Sequence, residues 1–435
     1  MKAINREILS IAVPSIITNI TTPLLALMDV VIVGHMGSPD YIAAIAVGGT
    51  IFNMLYWLFA FLRMGSSGLT AQANGAGNKS DCDLVLTRGL LVAFTASIVM
   101  IAFQGFIIRF ANHILEVDDS VGVLVNEYFS ILIWGAPASL GTFVLTGWFL
   151  GLKNAKTPMW MAFAINIANI AISLLLVFGF GMKVKGVATG TLAAQWLGFL
   201  LGIAIALARH RPFPTSLSSI IKTDELKRFF SVNADIFLRT LCLIAVTVWF
   251  TRTGSAQGTI ILAVNTLLMQ FFIIFSYFMD GFAFAGESLC GNCAGQNDRA
   301  HLKATIRALF GWGIAIVVIF TTIYTTAGEA IMRLLSDDTD VINTSADFTA
   351  WVVAIPITGF AAFIWDGIYI GLTRTHEMLI SIAVSSAVYF TLYFILFPLI
   401  GNHGLWLAFI TYLFSRGFVL TLLSRRAISK SFQSI

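Results

Sequence analysis

A single acid in the first apolar run of the chain offers the clearest chemistry. Asp29 lies in the run from about Ile8 to Gly34, which is long enough to span a bilayer. Ionisable residues are rare inside such segments and mark functional sites. Burial disfavours the charged form of a carboxylate, so we expect Asp29 to take up a proton more readily than an exposed aspartate does. The sequence therefore predicts that Asp29 is a protonation switch.

Polar residues in the same run and in two later runs are expected to surround Asp29. With the rise and rotation of an α-helix, the first (8–33), fifth (158–180) and sixth (185–208) apolar runs place polar side chains at a similar depth in the membrane. The alternative is that these side chains only join helices through hydrogen bonds. Pro14 removes a backbone donor and is the predicted bend of the first helix. The predicted pocket residues are Thr22, Asn166, Asn169, Ser173 and Thr191.

A second group of charged residues lies in the predicted inner halves of the apolar runs. We expect an ion-pair network that closes the cytoplasmic side, and Asp235 and Arg239 are spaced to pair on one helix face. The alternative is that Asp280 or Glu287 is a second coupling site. The predicted network consists of Arg63, Asp235, Arg239, Asp280, Glu287, Asp366 and Arg416.

Other chemistries lack the residue sets that they need. Cys290 and Cys293 form a C-x-x-C, but a zinc site needs about four ligands, and no second pair or histidine cluster accompanies them. No phosphate-binding loop indicates ATP as the energy source. We therefore expect no enzyme, no metal or organic cofactor and no nucleic-acid partner. The proton motive force is the expected energy source, and sodium stays an alternative.

The composition requires that these residues be carried on membrane-spanning helices. Of the 435 residues, 58% are hydrophobic and only 11% are charged, whereas soluble domains have about 25% charged residues. Most lysines and arginines fall in segments that are cytoplasmic if the N-terminus is cytoplasmic, which predicts both termini inside. The twelve predicted spans are 8–33, 43–69, 88–111, 123–152, 158–180, 185–208, 229–251, 259–288, 304–326, 344–372, 378–399 and 403–424.

An internal repeat relates the two halves at an offset of about 219 residues. The segment 147–152 matches 367–372, and Pro137 matches Pro356. Six spans per half give both halves the same orientation, related by a pseudo-two-fold axis along the membrane normal. The predicted fold is an all-α membrane protein of two six-helix bundles, with an N-lobe at 1–208, a cytoplasmic linker at 209–228 and a C-lobe at 229–435.

Together these features predict a secondary active transporter. It would exchange protons for organic compounds, often cationic or amphipathic, by alternating access. A flippase or exporter of a lipid-linked or metabolite substrate, a sodium-coupled antiporter, and a channel or structural membrane protein are the alternatives. The expected partners are small organic molecules, protons and membrane lipid. We expect a monomer that passes the inner (plasma) membrane many times.

Several segments carry a family resemblance that covers nearly the whole chain. They are Pro14 with 24–29, 61–64, 68–73, Asp235 with 239–241, 262–265, and 280–281 with Glu287. These segments resemble the multidrug and toxic compound extrusion (MATE) family and, within it, the DinF-like branch. The resemblance implies two six-helix lobes, cation-driven antiport of varied organic compounds, protonation at Asp29 and a first helix that bends near Pro14.

The chain departs from that branch at one position. Ser173 stands where the branch commonly has an aspartate. The departure puts a two-carboxylate site in the first lobe in doubt and leaves Asp29 as its one predicted coupling acid.

Overall fold

The computed structural model describes residues 2–34, 38–115, 117–210 and 223–432. Within these ranges the chain forms helices joined by short turns, and the described residues contain no strand. The predicted all-α class is therefore confirmed.

The helices follow the predicted apolar runs and often extend beyond them. In the first part of the chain they are α1 (Lys2–Gly34), α2 (Pro39–Leu58), α3 (Phe61–Gly75), α4 (Lys79–Ala102), α5 (Gln104–Ile114), α6 (Asp119–Leu132), α7 (Ala136–Gly151), α8 (Lys156–Leu174) and α9 (Lys183–His210). In the second part they are α10 (Thr223–Ala256), α11 (Thr259–Gly295), α12 (Arg299–Leu335), α13 (Thr339–Ala346), α14 (Thr349–Gly371), α15 (Thr375–Ile400) and α16 (Asn402–Ser431).

Eleven segments of the described residues are long and apolar enough to cross a membrane. The remaining predicted span corresponds to α1, in which the side chains of Thr22 and of residues 24–26 lie outside the described part of the chain. The count of twelve spans and the cytoplasmic position of both termini stay predictions.

The chain divides into two compact units, and α1 contributes to both. One unit is Ile17–Phe229, and the other combines Met1–Ile16 with Phe230–Ile435. The division within α1 falls just after Pro14. Much of the predicted linker, 209–228, lies outside the described residues, so the predicted lobe boundaries stay predictions.

The predicted run 123–152 is broken in its middle. Residues Ile133–Gly135 form a 3-10 turn between α6 and α7. Pro137 is the second residue after the turn, and its ring would clash with the carbonyl of Ile133 in a continuous α-helix, so the chain tightens before it. Trp196 of α9 donates through Nε1 to the main-chain oxygen of Trp134 at 3.1 Å. A side chain from another helix thus satisfies a carbonyl of the break.

In each unit a pair of glycines lets two helices approach closely. A Cβ added to Gly147 of α7 would lie 2.1 Å from the main-chain oxygen of Arg63 in α3. In the other unit, a Cβ on Gly367 of α14 would lie 2.1 Å from the main-chain oxygen of Ala283 in α11. The second glycines of the two pairs, Gly151 and Gly371, also face main-chain atoms. Close backbone approach at small residues is a common way to pack helices in membranes.

We expect Gly147→Ala and Gly367→Ala to destabilise the protein, each by about 1–3 kcal/mol or more, because main-chain atoms cannot make room for the added methyl group. The measurement is the midpoint of thermal unfolding in detergent. Gly49→Ala and Gly311→Ala are the matched controls, because nothing lies within 4 Å of a Cβ at either position. Equal midpoints for the four variants would contradict this account of the packing.

Candidate functional site

Asp29, Asn169 and Thr191 come together in the Ile17–Phe229 unit, from α1, α8 and α9. Asp29 is 4% exposed and Asn169 is fully buried. The Asn169 side chain lies within hydrogen-bonding reach of the Asp29 carboxylate, and its Nδ2 donates to Thr191 Oγ1 at 2.7 Å. Thr191 donates in turn to the main-chain oxygen of Val187 at 3.0 Å. Three helices thus contribute one polar group each to a buried cluster.

Two oxygen atoms of this cluster lack a donor. Oδ1 of Asp29 and Oδ1 of Asn169 are buried and have no hydrogen-bond partner among the described residues. Within the same part of the chain, no lysine, arginine or histidine forms an ion pair with Asp29. An unpaired buried acceptor costs free energy, and a proton bound at the carboxylate is one way to supply the missing donor.

Tyr128 of α6 also belongs to this neighbourhood, although the sequence analysis missed it. It is 3% exposed and lies within electrostatic reach of both Asp29 and Tyr56. Its ring packs on α2 at Gly48, where an added Cβ would lie 2.5 Å from Cδ1. Phe52 contacts the rings of Tyr56 and Tyr128 at centroid distances of 5.6 and 6.3 Å. The sequence gives one indication of Tyr128, a phenol within an apolar run. That indication is not specific, because tyrosines at the membrane–water interface show the same pattern.

Asn166 takes a different role from its predicted neighbours. Its Nδ2 donates to the main-chain oxygen of Thr21 at 3.0 Å, so it joins α8 to α1 two residues before Pro23. This contact fits the alternative in which a polar side chain holds helices together. The predicted pocket residue Thr22 has a side chain outside the described part of the chain.

Ser173 faces α9 at a point of close approach. A Cβ added to Gly190 would lie 2.2 Å from Ser173 Oγ and 2.8 Å from its main-chain nitrogen. Ser173 is fully buried, and its hydroxyl has no hydrogen-bond partner among the described residues. The chain widens into a π-helical turn at Leu175–Gly179 directly after α8. The small side chain at position 173 therefore serves the contact between α8 and α9.

Pro14 lies inside α1, which runs through it as one helix. Because proline has no N–H, the carbonyl of Ser10 loses its usual donor there. Ser15 donates through Oγ to the main-chain oxygen of Ile11 at 2.8 Å. The predicted bend position is thus a helical turn with a missing backbone hydrogen bond.

A cavity of about 670 Å³ lies in the same unit. None of the predicted pocket residues with described side chains lines it. Among the described residues, its wall contains no charged side chain and combines aromatic rings with uncharged polar groups. The lining residues are Thr50, Asn53, Met54, Tyr56, Trp57, Ala60, Ser139, Thr142, Phe143, Ile165 and Gln195. Cavities of this size and composition hold drug-sized molecules in many proteins.

Three of the predicted network residues meet in the other unit. Asp366 accepts hydrogen bonds through Oδ2 from Arg239 and, at 2.7 Å, from Arg416. All three are more than 90% buried. The guanidinium of Arg416 also lies over the Tyr412 ring, 5.6 Å from its centroid, and within electrostatic reach of Asp280. One carboxylate therefore joins α10, α14 and α16.

The remaining predicted network residues have other surroundings. Asp235 accepts a hydrogen bond from Thr375 Oγ1 at 2.9 Å, and its carboxylate lies 3.8 Å from His376 Nδ1. The predicted pairing of Asp235 with Arg239 is therefore wrong, because Arg239 pairs with Asp366 instead. Glu287 is buried in α11. Arg63 lies in the Ile17–Phe229 unit, which does not contain Asp366. Cys290 and Cys293 are buried, and no disulfide joins them.

Comparison with known proteins places the chain among transporters. The MatE family model matches residues 14–175 and again residues 232–395. The chain is 35% identical over 418 residues to DNA damage-inducible protein F of Escherichia coli (strain K12), and the match covers 96% of this chain and 91% of that protein. It is 22% identical over 416 residues to Protein DETOXIFICATION 44, chloroplastic, of Arabidopsis thaliana, which covers 93% of this chain and 79% of the relative.

Solved structures match the fold. The Vibrio cholerae MATE transporter VcmN in the bent form superposes with a TM-score of 0.88 at 14% identity, covering 99% of this chain and 98% of that one. The resemblance to the multidrug and toxic compound extrusion family is thereby confirmed. With two matched segments that span most of the sequence, the chain belongs to the MatE family of multi-pass membrane transporters.

Proposed function

We propose that this transporter is a secondary active exporter that exchanges protons for organic compounds, and that Asp29 is the carboxylate that carries the proton. The observation that carries the proposal is the environment of Asp29. The carboxylate is buried, Oδ1 has no hydrogen-bond partner among the described residues, and no basic residue of that part of the chain pairs with it. Such a group is stable when neutral and unstable when charged.

The proposed cycle follows from this property. Protonation from the more acidic side neutralises Asp29 and turns it into a donor for an acceptor such as the unpaired Oδ1 of Asn169. Asn169 is tied to α9 through Thr191, so a changed contact at Asp29 acts on α8 and α9 together. Each unit charge that moves through 100 mV is worth about 2.3 kcal/mol, which is enough to bias a two-state rearrangement. Substrate leaves on the outer side, and the proton later leaves on the inner side.

In this proposal the substrate binds in the cavity of about 670 Å³ in the Ile17–Phe229 unit. Tyr56 lines that cavity, and Tyr128 lies within electrostatic reach of both Tyr56 and Asp29. The proton site and the cavity are thus neighbours that share helices. A flippase for pyrophosphate-linked lipids would need basic groups, and no lysine or arginine lines the described wall.

The proposed architecture has twelve spans in two six-helix bundles, with both termini in the cytoplasm and the protein in the inner membrane. Two separate matches to one family model support the duplication. The equivalent glycine contacts of α7 with α3 and of α14 with α11 support it as well. The excess of basic residues in the predicted inner segments supports the orientation.

Asp366 is a weak candidate for a second coupling acid in this scheme. Its carboxylate already accepts from two arginines, and breaking such a buried group leaves an uncompensated charge. We therefore assign Asp366, with Arg239 and Arg416, to the stability of its unit.

We expect Asp29→Asn to reduce pH-driven efflux of an organic dye to the level of protein-free vesicles, because the amide cannot bind and release a proton. The measurement is dye efflux from proteoliposomes with an acidic exterior, in sodium-free buffer. The matched control is Asp40→Asn, since Asp40 is exposed in the first turn of α2. Undiminished pH-driven efflux by Asp29→Asn would refute proton coupling at this residue, and efflux that needs a sodium gradient instead would favour the sodium-coupled alternative.

We expect Pro14→Ala to slow transport while substrate-induced proton release persists. Alanine restores the donor for the Ser10 carbonyl and stiffens α1, whereas Asp29 and its partners are unchanged. The readouts are dye efflux and the pH change that follows dye addition to purified protein in weak buffer. Wild-type turnover in Pro14→Ala would remove Pro14 from the mechanism.

A further inference from the structure

One side chain of the cavity wall is an exposed carboxamide. Asn53 of α2 lines the cavity and is accessible, and no described residue forms a hydrogen bond with its side chain. It lies within Pro39–Gly75, a segment apolar enough to cross a membrane. A polar group in such a segment is costly unless it meets water or a polar ligand. The donor and the acceptor of this amide are therefore available to a molecule in the cavity.

Several other polar groups of the wall are already engaged or are buried away from the cavity. The hydroxyls of Thr50 and Thr142 each donate to the main-chain oxygen four residues earlier, at 2.8 and 2.7 Å. The hydroxyl of Tyr56 and the Oε1 atom of Gln195 have almost no accessible surface. Asn53 is therefore the carboxamide of the described wall whose oxygen a ligand can reach.

The helical turns on either side of Asn53 leave room for a flat molecule. A Cβ added to Gly49, one turn earlier, would have no atom within 4 Å. Trp57, one turn later, lines the cavity and is 43% exposed. Residues four apart share a helix face, and their Cα–Cβ bonds tilt towards the N-terminus. A planar ring can therefore stack on the indole while its edge reaches the amide.

A different face of α2 contacts the surroundings of the proton site. Gly48 and Phe52 pack on the ring of Tyr128, which lies within electrostatic reach of Asp29. Asn53 follows Phe52 in the sequence and is therefore rotated by about 100° around the helix axis. Asp29 is not among the residues that line the cavity, and no described side chain of the wall is charged. The wall can thus bind a substrate that carries no positive charge.

We propose that Asn53 determines substrate specificity: its carboxamide pairs with neighbouring N–H and C=O groups on the edge of an uncharged, planar aromatic compound whose ring stacks on Trp57. Asparagine can donate and accept at once, which is how it recognises the edge of a nucleobase. A compound without the N–H group leaves the amide oxygen unpaired. The inference rests on the exporter function proposed above and names the substrate class for its cavity.

Two uncharged dyes that differ in one hydrogen-bond donor test this inference. A dimethylaminonaphthalimide with a free imide is planar and fluorescent, and its N–H lies between two carbonyl groups. Its N-methyl derivative lacks only that donor. We expect the wild-type protein to bind the free imide more tightly by roughly two- to tenfold, the value of about one hydrogen bond. In Asn53→Leu, which keeps the branched shape of the side chain and removes the amide, the affinity ratio should fall to about one.

Further variants make the test specific. Thr50→Val removes a wall hydroxyl whose donor is already used within α2, so the ratio of the two affinities should stay as in the wild type. Trp57→Leu removes the stacking surface, so both dyes should bind more weakly and their ratio should persist. Asn53→Ala removes the amide without adding apolar volume and should give the same ratio as Asn53→Leu.

Affinity is measured by fluorescence polarisation with purified protein in detergent, after subtraction of the signal from protein-free detergent, and export by efflux from proteoliposomes. A wild-type affinity ratio near one, a preference that survives in both Asn53 variants, a ratio that changes in Thr50→Val, or no binding of either dye would overturn the inference. Binding with the expected ratio but without pH-driven efflux would instead overturn the proposed function and leave the role of Asn53 intact.

Discussion

A carboxyl group enclosed among apolar helices has to be paired with a cation or to hold a proton. This chain uses both solutions, in different units. Asp366 is paired twice, with Arg239 and Arg416, and thereby connects three helices. Asp29 has no such partner in the described part of the chain, and its neighbours Asn169 and Thr191 are neutral. The first arrangement suits a permanent structural contact, whereas the second suits a group whose charge changes.

The broken span between α6 and α7 connects the neighbourhood of Asp29 with the cavity in the Ile17–Phe229 unit. Before the break, Tyr128 lies close to Asp29. After the break, Ser139, Thr142 and Phe143 form part of the cavity wall. Proline chemistry explains why the break exists, and α9 explains why it is stable, since its side chains contact the turn. The 3-10 turn thus separates the surroundings of Asp29, which contain a titratable carboxyl group, from the cavity wall, whose described side chains are uncharged.

Helix periodicity and depth predicted that polar residues of α1, α8 and α9 lie at a similar level in the membrane, and Asn169 and Thr191 are the two of them that form a hydrogen bond next to Asp29. The same reasoning could not find Tyr128 or the cavity residue Gln195, because an apolar run does not reveal which helices pack against each other. Local spacing also suggested Asp235 with Arg239, whereas the actual partner of Arg239 is Asp366, far along the chain. Contacts between distant helices depend on tertiary packing, which i, i+4 arguments do not contain.

The contact between Ser173 and Gly190 limits the size of the side chain that fits at position 173. Position 173 touches the backbone of α9 where that helix has no side chain. An aspartate introduced there by a single substitution would press its carboxylate against the neighbouring helix. The size of the side chain at position 173 is therefore coupled to the placement of α9, the helix that also carries Thr191 and Gln195. The spacing of α8 and α9 at this contact also affects the cavity wall, because the two helices contribute Ile165 and Gln195 to it.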